Sequence, residues 1–262
     1  MARFLPEVKS MDPITLVAED GESSDRHEVL VALFAYNEGD RLRRTLNSFP
    51  LRHLYDVLIV DDGSTDGSLE SAEELGFRVI RNPCNQGLGA SIKTAFRYAL
   101  ANNYAVIVIM AGNGKDDAGE IELLLQPVLD GGYDFAQGSR FLPGGTYSNM
   151  PFHRLVATRY IHPLIFSLLS GRLVTESTNG FRAFKTSILR DDRINWRQAW
   201  LNQYELEQYL HFKVVRLGYQ RIEVPVSKIY PPGGRDYTKV KAFTGWWSMI
   251  RPLIYLAAGV KR

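Results

Sequence analysis

With 262 residues, 45% hydrophobic and 23% charged, the chain has an ordinary globular balance and the length of one large α/β domain. Its 31 basic and 29 acidic side chains leave a net charge of +2, too little for the cationic footprint of a nucleic-acid binder. The lone Cys84 excludes an internal disulfide and suits a reducing compartment.

Residues 1–27 are acidic and lack apolar periodicity; they read as a loosely ordered extension with no signal-peptide core. From residue 28 a regular order sets in. "EVLVALFAY" is a buried-type strand, and Leu42, Leu46 and Phe49 give residues 38–49 a helical spacing. "YDVLIV" is a second strand ending in "DDGSTDGS", followed by a helix over 66–75. "FRVIRN" and a helix over 87–101 come next, then the strand "YAVIVIM". Strands alternating with helices of this length indicate βαβ units, and uninterrupted apolar runs indicate parallel strands buried on both faces.

Beyond about residue 115 the rhythm loosens. A helix over 118–129 leads to the strand "DFAQGSRF", a Gly-Pro-rich loop at 142–151 and a helix over 152–169. The strand "GFRAFK", a long helix over 199–217, the strand "RIEVPV" and the "YPPGGRDY" loop follow. The chain therefore reads as an extension (1–27), a domain (28–235) and a C-terminal helical tail (236–262). That tail sets Phe243, Trp246, Trp247, Ile250, Leu253, Ile254 and Tyr255 among Lys239, Lys241, Arg251, Lys261 and Arg262. It suits either an amphipathic helix lying in a bilayer interface or one packed on the domain or a second subunit. No window reaches the ~18 apolar residues of a membrane span. The expected location is cytoplasmic, at the inner membrane face if the tail engages lipid.

In a parallel sheet the carboxyl ends of the strands share one edge, where ligands bind. Three polar turns meet there: "AYNE" (Ala35 to Glu38), "DDGSTD" (Asp61 to Asp66) and "AGNG" (Ala111 to Gly114). Asp61 or Asp62 can accept hydrogen bonds from a base or ribose, or hold a cation. "DDGSTD" is also compatible with a helix cap that binds nothing. "GLG" at 87–89 lacks the full dinucleotide pattern and follows the third strand, which argues against an oxidoreductase.

"ALFAYNE", "LIVDDGSTDGS", "NQGLGASIKTAF", "VIMAGNGKDD", "GSRF" and "NGFRAFK" follow the order and spacing of family 2 glycosyltransferases, and the chain most resembles their dolichyl- or polyprenyl-phosphate sugar synthases. The resemblance spans roughly residues 28–240. It implies a GT-A fold (Rossmann-like, with a mixed, mostly parallel sheet flanked by helices) and inverting transfer from a nucleotide diphosphate sugar. It maps nucleoside contacts to Tyr36, Glu38, Asp61 and Asp62, and puts Leu88 and Lys93 beside the nucleotide. It implies that Arg140, with Arg154 and Thr158 one helical turn apart, clamps the phosphate of a lipid acceptor. Arg182 then faces the same region, and Arg235 and Lys239 resemble a basic segment closing over the diphosphate.

One segment departs from the pattern. Family members carry Asp-x-Asp, a Mg²⁺ or Mn²⁺ site, where this chain has Ala111, Gly112 and Asn113. Three readings stay open. A weakened metal site can form from Asn113, Asp62 and the substrate phosphates. Alternatively Lys93, Lys115, Arg235 and Lys239 carry the leaving-group charge without metal. Or the protein is a catalytically silent nucleotide-sugar binder. Asp116 and Asp117 fall where acids also cap helices. A hydroxyl of a glycan acceptor needs a general base, for which Glu205 and Glu207 are candidates by position, whereas a lipid phosphate needs none. Base, sugar and oligomeric state are not specified by the pattern.

Overall fold

The computed structural model describes residues 28–49, 54–230 and 244–261. In chain order the first half comprises β1 (Val29–Ala35), α1 (Asp40–Asn47), β2 (Asp56–Asp61), α2 (Ser68–Glu74), β3 (Arg78–Arg81), α3 (Leu88–Ala101) and β4 (Val106–Ala111). The second half comprises α4 (Ile121–Leu129), β5 (Phe135–Ser139), β6 (Thr146–Ser148), α5 (Phe152–Val156), α6 (His162–Ser170), β7 (Arg182–Lys185), α7 (Glu205–Leu217), β8 (Arg221–Pro225), β9 (Ser227–Ile229) and α8 (Thr244–Ala257).

Seven strands form one sheet in the order β3-β2-β1-β4-β7-β5-β8. β1, β2, β3 and β4 run parallel, as do β5 and β8, while β7 is antiparallel to both β4 and β5. This is the mixed, mostly parallel α/β sheet expected. Every residue of β1 is buried, and alternation divides them between two layers. Leu30, Ala32 and Phe34 join Ile92 and Phe96 of α3 and Leu206 and Leu210 of α7. Val31, Leu33 and Ala35 join Leu42 and Leu46 of α1 and Ile121 and Leu124 of α4 on the opposite face.

Three differences from the expected elements bear on the site. The helix over 152–169 is broken by a π-helical turn at Ala157–Ile161 between α5 and α6. The helix over 199–217 begins only at Glu205, after a 3₁₀ turn at Ala199–Leu201. The Gly-Pro-rich loop contains β6, which pairs with β9 in a small second sheet. In the tail, α8 packs on α6 and α7. Its Leu253 is buried in the cluster formed with Phe166, Phe212 and Val215, and Arg251 pairs with Glu205. Trp247 and Ile254 remain exposed. Among the described residues no helix is long and apolar enough to cross a membrane.

Candidate active site

At the carboxyl edge of β1, β2 and β4 lies a cavity of about 990 Å³, lined from every polar turn singled out above. Hydrogen bonds lace these turns together. The Asn37 amide donates to Ser64 Oγ at 2.9 Å and the Thr65 amide to Asn37 Oδ1 at 2.9 Å. The Gly39 amide donates to Asp66 Oδ2 at 2.9 Å. Asn37 pays for this by adopting a left-handed backbone, φ 49°, which asparagine tolerates better than most residues.

The two adjacent acids divide the work. Asp61 is 1% exposed and absent from the cavity wall. Its carboxylate accepts from the Ser64 amide at 3.0 Å and from the Ser64 hydroxyl, with Arg81 Nε at 3.5 Å. It therefore caps the turn, the non-ligand reading of "DDGSTD". Asp62 does line the cavity. Its Oδ1 accepts from Asn82 Nδ2 and the Gln86 amide, both at 3.0 Å, and its Oδ2 from the Gly87 amide at 2.9 Å. Of the four lone-pair positions of a carboxylate, those bonds leave one for a ligand.

α3 begins beside this loop because its glycines admit another backbone. A Cβ on Gly89 would stand 2.1 Å from the Leu201 carbonyl oxygen and 2.5 Å from that of Gln203. That contact draws the 201–204 turn inward and carries Tyr204 and Glu207 to the cavity wall. Leu88, Ser91 and Ile92 form the α3 side of the wall. Lys93 does not reach it: its ammonium donates to the Gln198 carbonyl and to Asn202 Oδ1, each at 2.6 Å. Burial, then Arg97, lowers the Lys93 ammonium to about 8.

Beyond these polar turns the wall becomes cationic. Ala35, Tyr36, Glu38, Ala111 and Asn113 line it, and Lys115 follows. Gly112 is turned away, its amide donating to the Phe34 carbonyl at 2.9 Å. Tyr230 stands at the centre of the cations. Lys115 Nζ lies 5.1 Å from its ring and the Arg154 guanidinium 5.4 Å, while Arg140 Nη1 donates to its hydroxyl at 3.4 Å. Arg140 is itself fixed by Glu176 at 2.8 Å and by Thr178 Oγ1 at 3.0 Å. Thr158 lines the same region with its hydroxyl turned back onto the Arg154 carbonyl at 2.8 Å. Lys228 completes the group and pairs with Asp116. Burial, with Lys228 and Arg154 nearby, lowers the Lys115 ammonium to about 8.

Arg182 does not face the cavity as expected. It is fully buried under it, donating to the Glu207 carbonyl at 3.1 Å and the Asn179 carbonyl at 2.6 Å. Glu207 does line the cavity, and burial raises its carboxyl above the ordinary range against the pull of Arg182. Glu205 is held by Arg251, away from the wall. Arg235 and Lys239 lie outside the described residues. Sequence reasoning missed Lys228 and Tyr230. The signal was a two-residue period: Val226, Lys228 and Tyr230 are the buried positions around β9.

The two expected metal ligands, Asn113 and Asp62, both line the cavity. Asn113 offers one neutral oxygen, which accepts from the Lys115 amide at 3.3 Å. Asp117 caps the turn at Gly119, 2.9 Å away. Among the described residues no group of three or more His, Cys, Asp or Glu side chains is placed to hold a metal ion.

A family model described as Glycosyl transferase family 2 matches residues 30–193. The chain is 32% identical over 208 residues to polyprenol monophosphomannose synthase of Mycolicibacterium smegmatis, covering 76% of each. It is 30% identical over 207 residues to undecaprenyl-phosphate mannosyltransferase of Micrococcus luteus, covering 76% of this chain and 82% of that one. In architecture it is similar to glucosyl-3-phosphoglycerate synthase of Mycobacterium tuberculosis, solved with Mn²⁺, uridine diphosphate and phosphoglyceric acid. That likeness has a TM-score of 0.64 at 18% identity, over 90% of this chain and 80% of that one. The fold is GT-A.

Proposed function

The chain belongs to glycosyl transferase family 2 and is a glycosyltransferase, and from that premise we propose inverting transfer of a sugar from a nucleoside diphosphate sugar to the phosphate of a polyprenyl-type lipid. The observation that carries this reading is the meeting of Lys115, Arg140 and Arg154 at Tyr230, in a cavity that Tyr36, Glu38, Asp62 and Leu88 also line. The polar turns suit a nucleoside; the guanidinium groups suit phosphate oxygens, which they engage two at a time. The names of the two relatives above support a lipid phosphate acceptor.

The chemistry then needs few parts. An ionised acceptor phosphate, oriented by Arg140 and Arg154, attacks the anomeric carbon from the face opposite the diphosphate. The bond from that carbon to the diphosphate oxygen breaks, and its electron pair leaves with the nucleoside diphosphate. One displacement inverts the configuration. The charge that leaves the acceptor arrives on the diphosphate, where preformed cations stabilise it without reorganising.

An exposed apolar stripe that suits a membrane surface supports the same acceptor. Along the helix that carries Arg154 and Thr158, Phe152, Tyr160, Ile161, Leu164 and Leu168 are exposed beside Arg159, and Trp247 and Ile254 of α8 are exposed as well. Apolar and aromatic residues with flanking cations suit a lipid interface. A glycan hydroxyl is the second acceptor class. Glu207, the carboxyl in the cavity with a raised affinity for protons, favours it as a general base.

The experiment supplies a panel of nucleotide sugars with either undecaprenyl phosphate or a sugar acceptor and follows release of nucleoside diphosphate. Release dependent on the lipid phosphate is expected, and Arg154→Ala should lower that turnover at least tenfold with donor affinity unchanged. Release that ignores the acceptor's phosphate refutes the lipid reading; no release with any pair leaves a silent binder.

A further inference from the structure

Resting on the transfer reading above, we propose that Lys115 supplies the positive charge at the leaving diphosphate, and that this chain binds its donor without a divalent cation. Mg²⁺ and Mn²⁺ take hard anionic oxygens, and the turn after β4 offers almost none. Ala111 has no donor side chain. The Asn113 oxygen is neutral and receives the Lys115 amide. Asp62 has one lone-pair position left after its bonds to Asn82, Gln86 and Gly87. Asp116, the nearest following acid, is buried; one oxygen pairs with Lys228 and the other receives the Ala111 amide at 3.4 Å. Glu38 pairs with Arg41 at 3.1 Å.

The cations are where the acids are missing. Lys115 is only two residues beyond Asn113, lines the cavity and is 8% exposed. Its backbone is pinned because its carbonyl accepts the Ile229 amide at 2.9 Å. β9 thus holds Lys115 from one side, while Tyr230, just after it, holds the ammonium over its ring. Arg154 lies over the same ring, and Lys228 is on the same strand. A dication entering this turn would meet Lys115 and Arg154, while the charge of Lys228 is already paired with Asp116. A diphosphate entering it would find those charges already placed and partly desolvated, where an ionic contact is stronger than in water. In the transfer step Lys115 keeps its proton and forms no bond to the sugar. It stabilises the electron pair that stays on the diphosphate oxygen when the bond to the anomeric carbon breaks.

The test is calorimetric binding of uridine and guanosine diphosphate, once with EDTA and once with Mn²⁺. Wild type should bind one of them equally in both buffers. Lys115→Gln should weaken that binding about 30-fold, the loss of one charge-assisted contact, while Lys115→Arg stays near wild type. Both variants should melt with the wild type, which separates a lost contact from a lost fold. Adding Ala111→Asp and Asn113→Asp to Lys115→Gln should restore binding in Mn²⁺ alone. Wild-type binding that requires Mn²⁺, or Lys115→Gln binding unchanged, overturns the proposal and leaves the transfer reading standing. Binding of neither nucleotide in either buffer overturns both.

Discussion

Replacing Asp62 by alanine separates organising a pocket from touching a ligand. The carboxylate is 5% exposed and accepts three hydrogen bonds, two from the main chain at Gln86 and Gly87 and one from Asn82. A hydrogen bond to a charged group contributes about 1.5–3 kcal/mol net. The simple sum overshoots, because the Gln86 amide lies near the surface and water can replace the carboxylate there. A loss of about 3 kcal/mol is therefore expected for Asp62→Ala, which corresponds to roughly 6–12 °C in a domain of this size. Asp62→Asn should fall between, since its oxygen can keep two of the donors while its NH₂ group faces the third. Nucleoside diphosphate affinity should fall in step with stability, because the same bonds hold the 82–87 loop that forms the cavity wall. Thermal melts and calorimetry on the three proteins decide the matter. Asp62→Ala melting within 1 °C of wild type, or losing affinity with stability intact, would refute the organising role.

Stability should also depend on pH through His162. Burial lowers its imidazole to about 4, against an unfolded value near 6.5, so the folded protein prefers the neutral ring. That contribution is complete above pH 6.5 and disappears as the pH falls toward 4, about 3 kcal/mol in all. Urea midpoints should drop between pH 7 and 5 more steeply in wild type than in His162→Gln; parallel slopes would count against it. Gly89→Ala forces a Cβ against the Leu201 and Gln203 carbonyls. It should cost at least ~2 kcal/mol and weaken nucleotide binding as Tyr204 and Glu207 are pushed out. A fully stable Gly89→Ala protein would show that the 201–204 turn does not need this approach.

In the first half β1, β2 and β4 were legible because they are largely buried and announce themselves as apolar runs, while the edge strand β3 has only Val79 and Ile80 between two arginines. Helix boundaries in that half fell within a few residues because their apolar spacing is helical, whereas the helix read over 199–217 begins only at Glu205. What stayed hidden depends on distant chain. Lys93 sits on a correctly placed helix, but its partners are Gln198 and Asn202, more than a hundred residues away. Arg182 lies on the one antiparallel strand, and no local pattern revealed that β7 inserts between β4 and β5. Adjacent acids in "DDGS" look alike in sequence, yet one turns under the loop and the other toward the cavity. β9 was masked by Pro225 before it and the prolines after it, although its alternation of buried side chains put Lys228 and Tyr230 on one side.

The π-helical turn at Ala157–Ile161 acts as a phase shifter in the rod that links the cavity to the outer surface. Upstream, Arg154 points at the cavity; downstream, His162 and Phe166 enter the core while Leu164 and Leu168 look outward. Winding the same residues as an unbroken α-helix would rotate everything after the turn by about 100°. The greasy stripe would then swing inward and the core residues outward. A single extra residue thus sets the angle between the anion-facing and oil-facing sides of one helix, and evolution could retune that angle without altering either side's composition.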